Sequence, residues 1–143
     1  MAQLTSKKTP SRFQPELDAN NLVSYTTHIV QNDKYFSEEM RISIIPEVLR
    51  LCMSIADKVN FANSINVKNS LNDSKRKANY KKRIEYEREA LYDCVALKSK
   101  VTILHLGFHL PGHKVRAWNA KINNTISSLT AWYNSELIKY KEI

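Results

Sequence analysis

The chain has few of the residues that break helices or form tight turns. Its 143 residues include 2 glycines and 4 prolines. Hairpins and βαβ connections depend on such residues at defined positions, so their scarcity argues against a sheet protein and favours long helices. No alternating strand pattern persists along the sequence, and no internal repeat or low-complexity tract is present.

Cysteine and long apolar runs are scarce as well. Cys52 and Cys94 lie in apolar helical patterns, and two cysteines form neither a disulfide framework nor a zinc-ligand motif. No run approaches the ~18 apolar residues of a membrane span, and residues 1–10 lack the apolar core of a signal peptide. We therefore expect a cytoplasmic protein with no membrane partner.

The motifs of common enzymes are also missing. The sequence has no glycine-rich phosphate loop, no nucleophile elbow and no pair of carboxylates in an apolar setting. His105 and His109 stand four residues apart, with His113 beyond the turn, but no Asp, Glu or Cys joins them locally as a metal ligand. We predict a protein that is not an enzyme and uses no cofactor or metal.

Positive charge is present in excess. The chain has 22 Lys and Arg against 14 Asp and Glu, a formal net charge of +8. Such a surplus favours acidic partners, chiefly nucleic acid, although a merely basic surface explains the charge almost as well. The excess is concentrated between Lys75 and Arg88, where half of the fourteen positions are Lys or Arg.

Apolar spacing predicts four amphipathic helices. In chain order they begin at Pro15, after the N-cap Ser37, at Lys75 and after Gly112. Pro46 predicts a kink or a later start in the second helix. Four such helices with short loops predict an all-α protein, an antiparallel up-down four-helix bundle over residues 14–140, preceded by a flexible basic tail over residues 1–13.

Cations at helical spacing on the third and fourth helices are the candidate nucleic-acid ligands. Lysines at this pitch can contact successive phosphates, whereas the alternative is that they are simply solvated. The predicted binding residues are Arg76, Lys77, Lys81, Lys82, Arg83, Arg88, Lys114 and Lys121.

Three other residues are predicted to be structural. Trp118 and Trp132 are better explained as core or subunit-interface anchors than as platforms for base stacking. Asn63 falls on the apolar face of the second helix, where its amide requires partners. Together with Tyr133 and Tyr140, the tryptophans surround more of the fourth helix than one seam needs, which predicts an oligomer.

The apolar stripe of the third helix becomes charged towards its start. Extended backward at about 100° per residue, the stripe reaches Glu87, Arg83, Tyr80 and Arg76. Either the helix projects past the bundle, or this part faces a wet channel between subunits. Arg83 and Glu87 are spaced as an i, i+4 ion pair. Glu85, Glu87 and Glu89 offset part of the positive charge.

An ordered set of landmarks resembles a known family. The landmarks are Phe36, Ala62-Asn63, Arg83, Glu89-Ala90-Leu91, Trp118 and Ala131-Trp132-Tyr133-Asn134-Ser135. In order and spacing they are similar to the four-helix-bundle family that contains the accessory variability determinant (Avd) of diversity-generating retroelements. The same family contains the ribosomal-RNA intervening-sequence proteins.

The resemblance implies a homopentameric barrel that binds RNA or DNA. In retroelements it also implies a partner reverse transcriptase, which copies template RNA into mutagenised cDNA. It further implies that Arg83 and Arg88 lie on the basic surface, and that Asn63 and Trp132 are structural. The Ser135-Glu136 pair departs from the Ser-Asp expected in close relatives, and the chain has no Tyr-x-Asp-Asp polymerase signature.

Two alternatives remain open from the sequence. One is an oligomeric scaffold whose positive surface docks an acidic protein. The other is a stand-alone intervening-sequence protein that has no reverse-transcriptase partner.

Overall fold

The computed structural model describes residues 13–32 and 34–143, which contain five helices and no strand. The helices are α1 (Gln14–Asn32), α2 (Glu38–Ser43), α3 (Ile45–Ser64), α4 (Asp73–Phe108) and α5 (Gly112–Glu142). Helix α3 packs on α4, α4 on α5, and α1 on both α3 and α5, while the short α2 packs on α3. The predicted all-α fold class is confirmed. In this part of the chain, none of the helices combines the length and apolarity needed to cross a membrane.

Ser37 and Pro46 set the boundaries of α2 and α3. The Ser37 hydroxyl accepts a hydrogen bond from the Met40 N–H at 3.2 Å, which caps α2 as predicted. Helix α2 ends at Ser43 and α3 begins at Ile45, so Pro46 lies in a first turn. The backbone N–H groups in the first turn of a helix have no partner within the helix. Proline, which lacks an N–H, is therefore tolerated there. Of the two alternatives for Pro46, the later start is correct.

Asparagines organise the connection into α4. The Asn72 side chain accepts a hydrogen bond from the Lys75 N–H at 2.8 Å and caps the helix, which begins two residues before the predicted start. Earlier in the loop, the Asn66 side chain accepts from the Lys68 N–H at 2.9 Å, and the Asn79 amide donates to the Asn66 carbonyl at 2.8 Å. The polar loop between α3 and α4 is therefore held onto α4.

A left-handed residue ends α4. His109 has a φ of 63°, and the Leu110 N–H donates to the Leu104 carbonyl at 3.0 Å. Glycine is the usual residue at such a position, but Gly107 lies inside the helix and His109 takes the role instead. Histidine is among the non-glycine residues that populate this region most readily. The residues Leu110, Pro111 and Gly112 predict a helix stop at this point, and α4 ends there at Phe108.

The core lies between the four long helices. Its fully buried members include Val48, Ile55 and Val59 of α3, Leu97, Val101 and Leu104 of α4, and Trp118, Ile122 and Leu129 of α5. The Trp118 Nε1–H donates to the Thr26 hydroxyl at 3.0 Å, and its ring meets Phe36 edge-on at 5.9 Å. Trp118 is thus a core residue of the protomer with its one polar atom satisfied, and it is not available as a subunit-interface anchor.

The buried stripe of α5 differs from the predicted one. Apolar spacing along this helix predicts that Ile126, Tyr133 and Leu137 lie on the stripe, but they are only partly buried. Thr125 and Glu136, each one residue earlier than a predicted position, are buried at 0% and 2% exposure. This rotation of α5 brings a carboxylate inside the protein.

Both cysteines behave as small apolar side chains. Cys52 and Cys94 are buried, free thiols. Burial raises the pKa of Cys52 to about 11 and that of Cys94 to about 12. Because reactivity requires the thiolate, neither thiol is activated at neutral pH.

The proposed N-terminal tail is described only at its last residue. Residues 1–12 lie outside the described part of the chain. Phe13 packs edge-on against Trp132, with ring centres 4.6 Å apart, and its carbonyl accepts a hydrogen bond from the Leu17 N–H at 3.1 Å. Phe13 is therefore part of the packed domain rather than of a tail.

Candidate nucleic-acid interface

Five cations on the first half of α4 form what we call the α4 basic surface. They are Lys75, Lys77, Lys81, Lys82 and Arg88; Lys77 is half-exposed and the others are exposed. Within residues 13–32 and 34–143, none of the five forms an ion pair. These side chains are consequently available to an external anion.

The α4 basic surface has two sides. The Lys77 ammonium lies 4.9 Å from the centre of the Tyr140 ring, and interaction with the Tyr133 hydroxyl raises the pKa of Arg88. These two cations therefore border α5. Lys82 borders α3 instead, because Tyr86, one turn later on the same side of the helix, packs against Phe61 with ring centres 5.7 Å apart.

Arg83 does not belong to this surface. Its Nε and Nη2 donate to the two carboxylate oxygens of Glu136 at 2.8 and 2.9 Å, and its Nη1 donates to the Ile65 carbonyl at 3.0 Å. The guanidinium lies 5.5 Å from the centre of the Trp132 ring, and the residue is only 9% exposed. This placement corrects the prediction that Arg83 is an exposed nucleic-acid ligand; its charge is neutralised between α4 and α5.

Arg76 is only partly available. Its side chain is 22% exposed and its Nη1 lies 3.7 Å from a carboxylate oxygen of Asp73. The guanidinium lies 6.0 Å from the centre of the Tyr80 ring and lines a cavity of about 450 Å³ that also contains Lys139 and Glu142. Charges of both signs meet there, so Arg76 sits at the margin of the α4 basic surface.

Glu87 is a buried carboxyl beside the Arg83–Glu136 pair. It is 0% exposed, and neither of its oxygens has a hydrogen-bond partner in the described structure. Burial and then the neighbouring Glu136 raise the pKa of Glu87 to about 10, and Arg83 opposes the shift. Glu87 is therefore protonated at neutral pH. The sequence suggested that Glu87 offsets part of the positive charge and pairs with Arg83. A protonated Glu87 does neither.

The charged part of the α4 stripe is accommodated inside the protomer. Tyr80, Arg83 and Glu87 are all buried, so at this level the helix does not project past its neighbours. Arg83 requires no water-filled channel between subunits, because Glu136 supplies the opposite charge within the protomer. Sequence reasoning missed Glu136, although it lies seven residues after the core residue Leu129, a spacing that returns to the same face of a helix.

Lys114 and Lys121 lie in a different region. The Lys114 ammonium is 5.5 Å from the centre of the Tyr35 ring, and the Lys121 ammonium is 5.7 Å from that of Tyr25. Both lysines therefore border the α1 side of α5. Lys114 and Tyr140 are at opposite ends of α5, roughly 40 Å apart at about 1.5 Å per residue. The predicted binding set thus occupies two separate surfaces.

The two remaining structural candidates differ in burial. Trp132 is half-buried between the Phe13 ring and the Arg83 guanidinium, which agrees with the predicted structural role. Asn63 is exposed, and its neighbour Ala62 occupies the buried position at the end of α3. The expectation that Asn63 lies on the apolar face is wrong, because the inward direction falls one residue earlier.

The histidines near the α4–α5 turn have separate contacts. The His105 Nδ1 lies 2.7 Å from the Leu110 carbonyl, to which it donates when that nitrogen carries the proton. The His113 ring meets Tyr35 edge-on at 5.7 Å. Across the described residues, no three His, Cys, Asp or Glu side chains converge as a metal site requires.

The arrangement provides exposed ammonium and guanidinium groups that can bind anions. Their strongest chemical match is a chain of phosphates, because the cations repeat along one helix. Comparison with protein-family models, curated proteins and solved structures finds no match to this chain.

Arg83→Met should destabilise the fold by about 3–5 kcal/mol, because it leaves the Glu136 carboxylate buried without its cation. Urea unfolding at neutral pH measures the loss. Arg88→Met is the matched control; because Arg88 is exposed, its effect should be about 0.5 kcal/mol or less. Equal effects of the two substitutions would contradict the buried pair.

The raised pKa of Glu87 should make stability depend on pH. Folded Glu87 keeps its proton to about pH 10, whereas the unfolded carboxyl releases it near 4.5. The folded state binds more protons between these values, so this contribution is complete below pH 4.5 and is lost as pH rises.

Glu87→Gln should remove that slope. Relative to the unchanged chain, the variant should gain up to about 1.4 kcal/mol of stability per pH unit across the window. Urea unfolding near pH 5 and near pH 9 provides the comparison, with the exposed Glu85→Gln as control. A stability difference that does not grow with pH would contradict the protonated, buried carboxyl.

Proposed function

We propose that this chain is a non-catalytic nucleic-acid-binding accessory protein. The observation that carries the proposal is the α4 basic surface, on which four of the five cations are exposed, Lys77 is partly exposed, and none forms an ion pair within the described residues. Each cation that neutralises a phosphate releases condensed counterions, which drives binding and makes it sensitive to salt. Phosphate contacts of this kind give affinity without reading the base sequence.

The acids near the α4 basic surface weaken it less than the sequence suggests. Glu87 is protonated, and Glu136 is committed to Arg83. Glu89 lies 3.6 Å from the Lys58 ammonium, on the side that borders α3. The exposed acids that remain near these cations are Glu85 and Asp73, and Asp73 lies 3.7 Å from Arg76. The balance of charge on the surface therefore stays positive.

We further propose that the bound nucleic acid is a template RNA or its cDNA. The partner enzyme would be the reverse transcriptase of a diversity-generating retroelement. Support comes from the resemblance of the ordered landmarks, from Phe36 to Ser135, to the Avd family. In this role the chain shelters or positions the template, and the partner performs all polymerase chemistry.

The same resemblance supports a four-helix-bundle protomer that assembles into a homopentamer. Helices α1, α3, α4 and α5 contact one another in a closed cycle, as the sides of a bundle do. The second half of α4 also exposes Val95, Ile103 and Leu106, at 63%, 43% and 71%. Exposed apolar side chains grouped in this way mark association surfaces. Trp118, for which the sequence left core and interface roles open, is buried in the core and cannot contribute to such a surface.

A second candidate function is a scaffold that docks an acidic protein. It is favoured by the exposed apolar side chains of Val95 and Leu106, which follow the α4 basic surface on the same helix. Protein interfaces combine apolar contacts with charge complementarity, whereas phosphate binding needs only the charge. The two functions differ in their response to polynucleotides.

Changing Lys77, Lys81, Lys82 and Arg88 together to Gln should weaken RNA binding by at least about tenfold and lower the salt slope by about 3, at about 0.7 per lost single-strand phosphate contact. Arg83 stays unchanged because its replacement would disturb the fold. Fluorescence anisotropy titrations at several salt concentrations measure both quantities.

A charge-matched control carries Gln at Lys34, Lys98, Lys100 and Arg116, which lie outside the α4 basic surface. It should retain most of the affinity. Equal losses in both variants would show that net charge alone drives binding. Absence of RNA binding, together with co-purification of an acidic protein, would favour the scaffold.

Val95, Ile103 and Leu106 changed together to Ser should shift the protein towards monomer, because the change removes the apolar area that association would bury. Sedimentation velocity at micromolar concentration measures the state, with the unchanged chain expected to sediment as an oligomer. Met53→Ser, an exposed apolar position on α3, is the control. A monomeric unchanged chain would contradict the proposed assembly.

A further inference from the structure

Tyrosine side chains border the cations on the α5 side of the α4 basic surface. The Tyr140 ring lies under the Lys77 ammonium at 4.9 Å. Tyr133 and Tyr92 are both close enough to Arg88 to raise its pKa, with Tyr133 making the larger contribution. Tyr92 is 65% exposed, and Tyr133 and Tyr140 are partly exposed. Aromatic faces and cations are therefore available on one surface.

The spacing places these groups along one line. Lys77, Lys81 and Arg88 share a side of α4 and span about 16 Å at about 1.5 Å per residue. Tyr133 and Tyr140 are seven residues apart on one side of α5, about 10 Å along its axis. We call this set, together with Tyr92, the α4–α5 ridge.

The tyrosines distinguish single strands from duplexes. Lysine and arginine can contact the phosphates of either form, because both carry phosphate groups along their backbones. Aromatic side chains stack only on bases that are unpaired and splayed out, and each stacked base raises affinity by roughly five- to 150-fold. In a duplex the bases already stack on one another and show only their edges in the grooves. Binding to phosphates alone would require only the cations and not the tyrosine rings.

We propose that the α4–α5 ridge binds single-stranded nucleic acid, with Lys77, Lys81 and Arg88 on the phosphates and Tyr92, Tyr133 and Tyr140 stacked on bases. This inference rests on the proposed nucleic-acid-binding function and specifies its ligand. It also assigns the stacking role to tyrosines. The tryptophans are engaged elsewhere, since Trp118 is fully buried and Trp132 packs between Phe13 and Arg83.

The test compares a labelled 12-nucleotide RNA single strand with the duplex of the same sequence, by anisotropy titration of the full chain. The unchanged protein should bind the single strand at least tenfold more tightly. A variant with Leu at Tyr92, Tyr133 and Tyr140 should lose at least tenfold for the single strand and less than threefold for the duplex. Its salt slope should not change, because the cations remain.

Two variants separate stacking from structure. A variant with Phe at the same three positions keeps the rings and should retain single-strand affinity within about threefold. If the tyrosine hydroxyl groups made the important contacts, this variant would lose affinity instead. Leu at Tyr25, which lies beside Lys121 on the α1 side, removes a cation-bordering ring elsewhere and should change nothing. Circular dichroism and urea unfolding establish that each variant is folded.

The outcomes distinguish this inference from the proposed function. Strong binding that needs the α4 cations but is equal for single strand and duplex would overturn the single-strand assignment and leave the proposed function intact. Equal single-strand affinity of the Leu variant and the unchanged chain would overturn it as well. Failure of the unchanged chain to bind either RNA in low salt would overturn both.

Discussion

The ion pair between Arg83 and Glu136 fixes how α4 meets α5, and the surface that α4 presents follows from it. The pair is bidentate, at 2.8 and 2.9 Å, between residues that are 9% and 2% exposed. Buried charges are tolerated only when each finds its partner. Sliding α5 by one turn would leave both charges buried and unpaired, so the pair selects one register. The same guanidinium donates to the Ile65 carbonyl and holds the loop before α4.

This register sorts the cations of the basic segment. Arg83 faces inward as a structural residue, Arg76 lies at the margin, and Lys77, Lys81 and Arg88 face outward beside the tyrosines of α5. A segment that reads as uniformly basic therefore divides into a structural part and a part that can bind. The buried Glu87 supports this division, since its raised pKa keeps it neutral and leaves the outward charge undiminished.

Helix α4 carries two different surfaces along its length. Its first half offers cations and aromatic rings, which suit nucleic acid, and its second half exposes Val95, Ile103 and Leu106, which suit association between protein chains. The function that we propose, binding a polyanion as an oligomer, would use both surfaces. Because the helix is continuous from Asp73 to Phe108, the two surfaces keep a fixed relation within one protomer.

Much of the fold was determined by the sequence itself. The scarcity of glycine and proline favours long helices. Local signals also set the helix ends, namely the Ser37 cap, the start near Pro46 and the stop after Phe108. Only the tertiary structure decided that Arg83 and Glu87 are buried and that Asn63 is exposed. It also decided that tyrosines, rather than tryptophans, border the exposed cations of the α4 basic surface. The physical reason is that the direction of a charged side chain depends on whether a neighbouring helix offers an opposite charge. That helix, α5, begins 24 residues after Arg88, the end of the basic segment, and its rotation is set by packing.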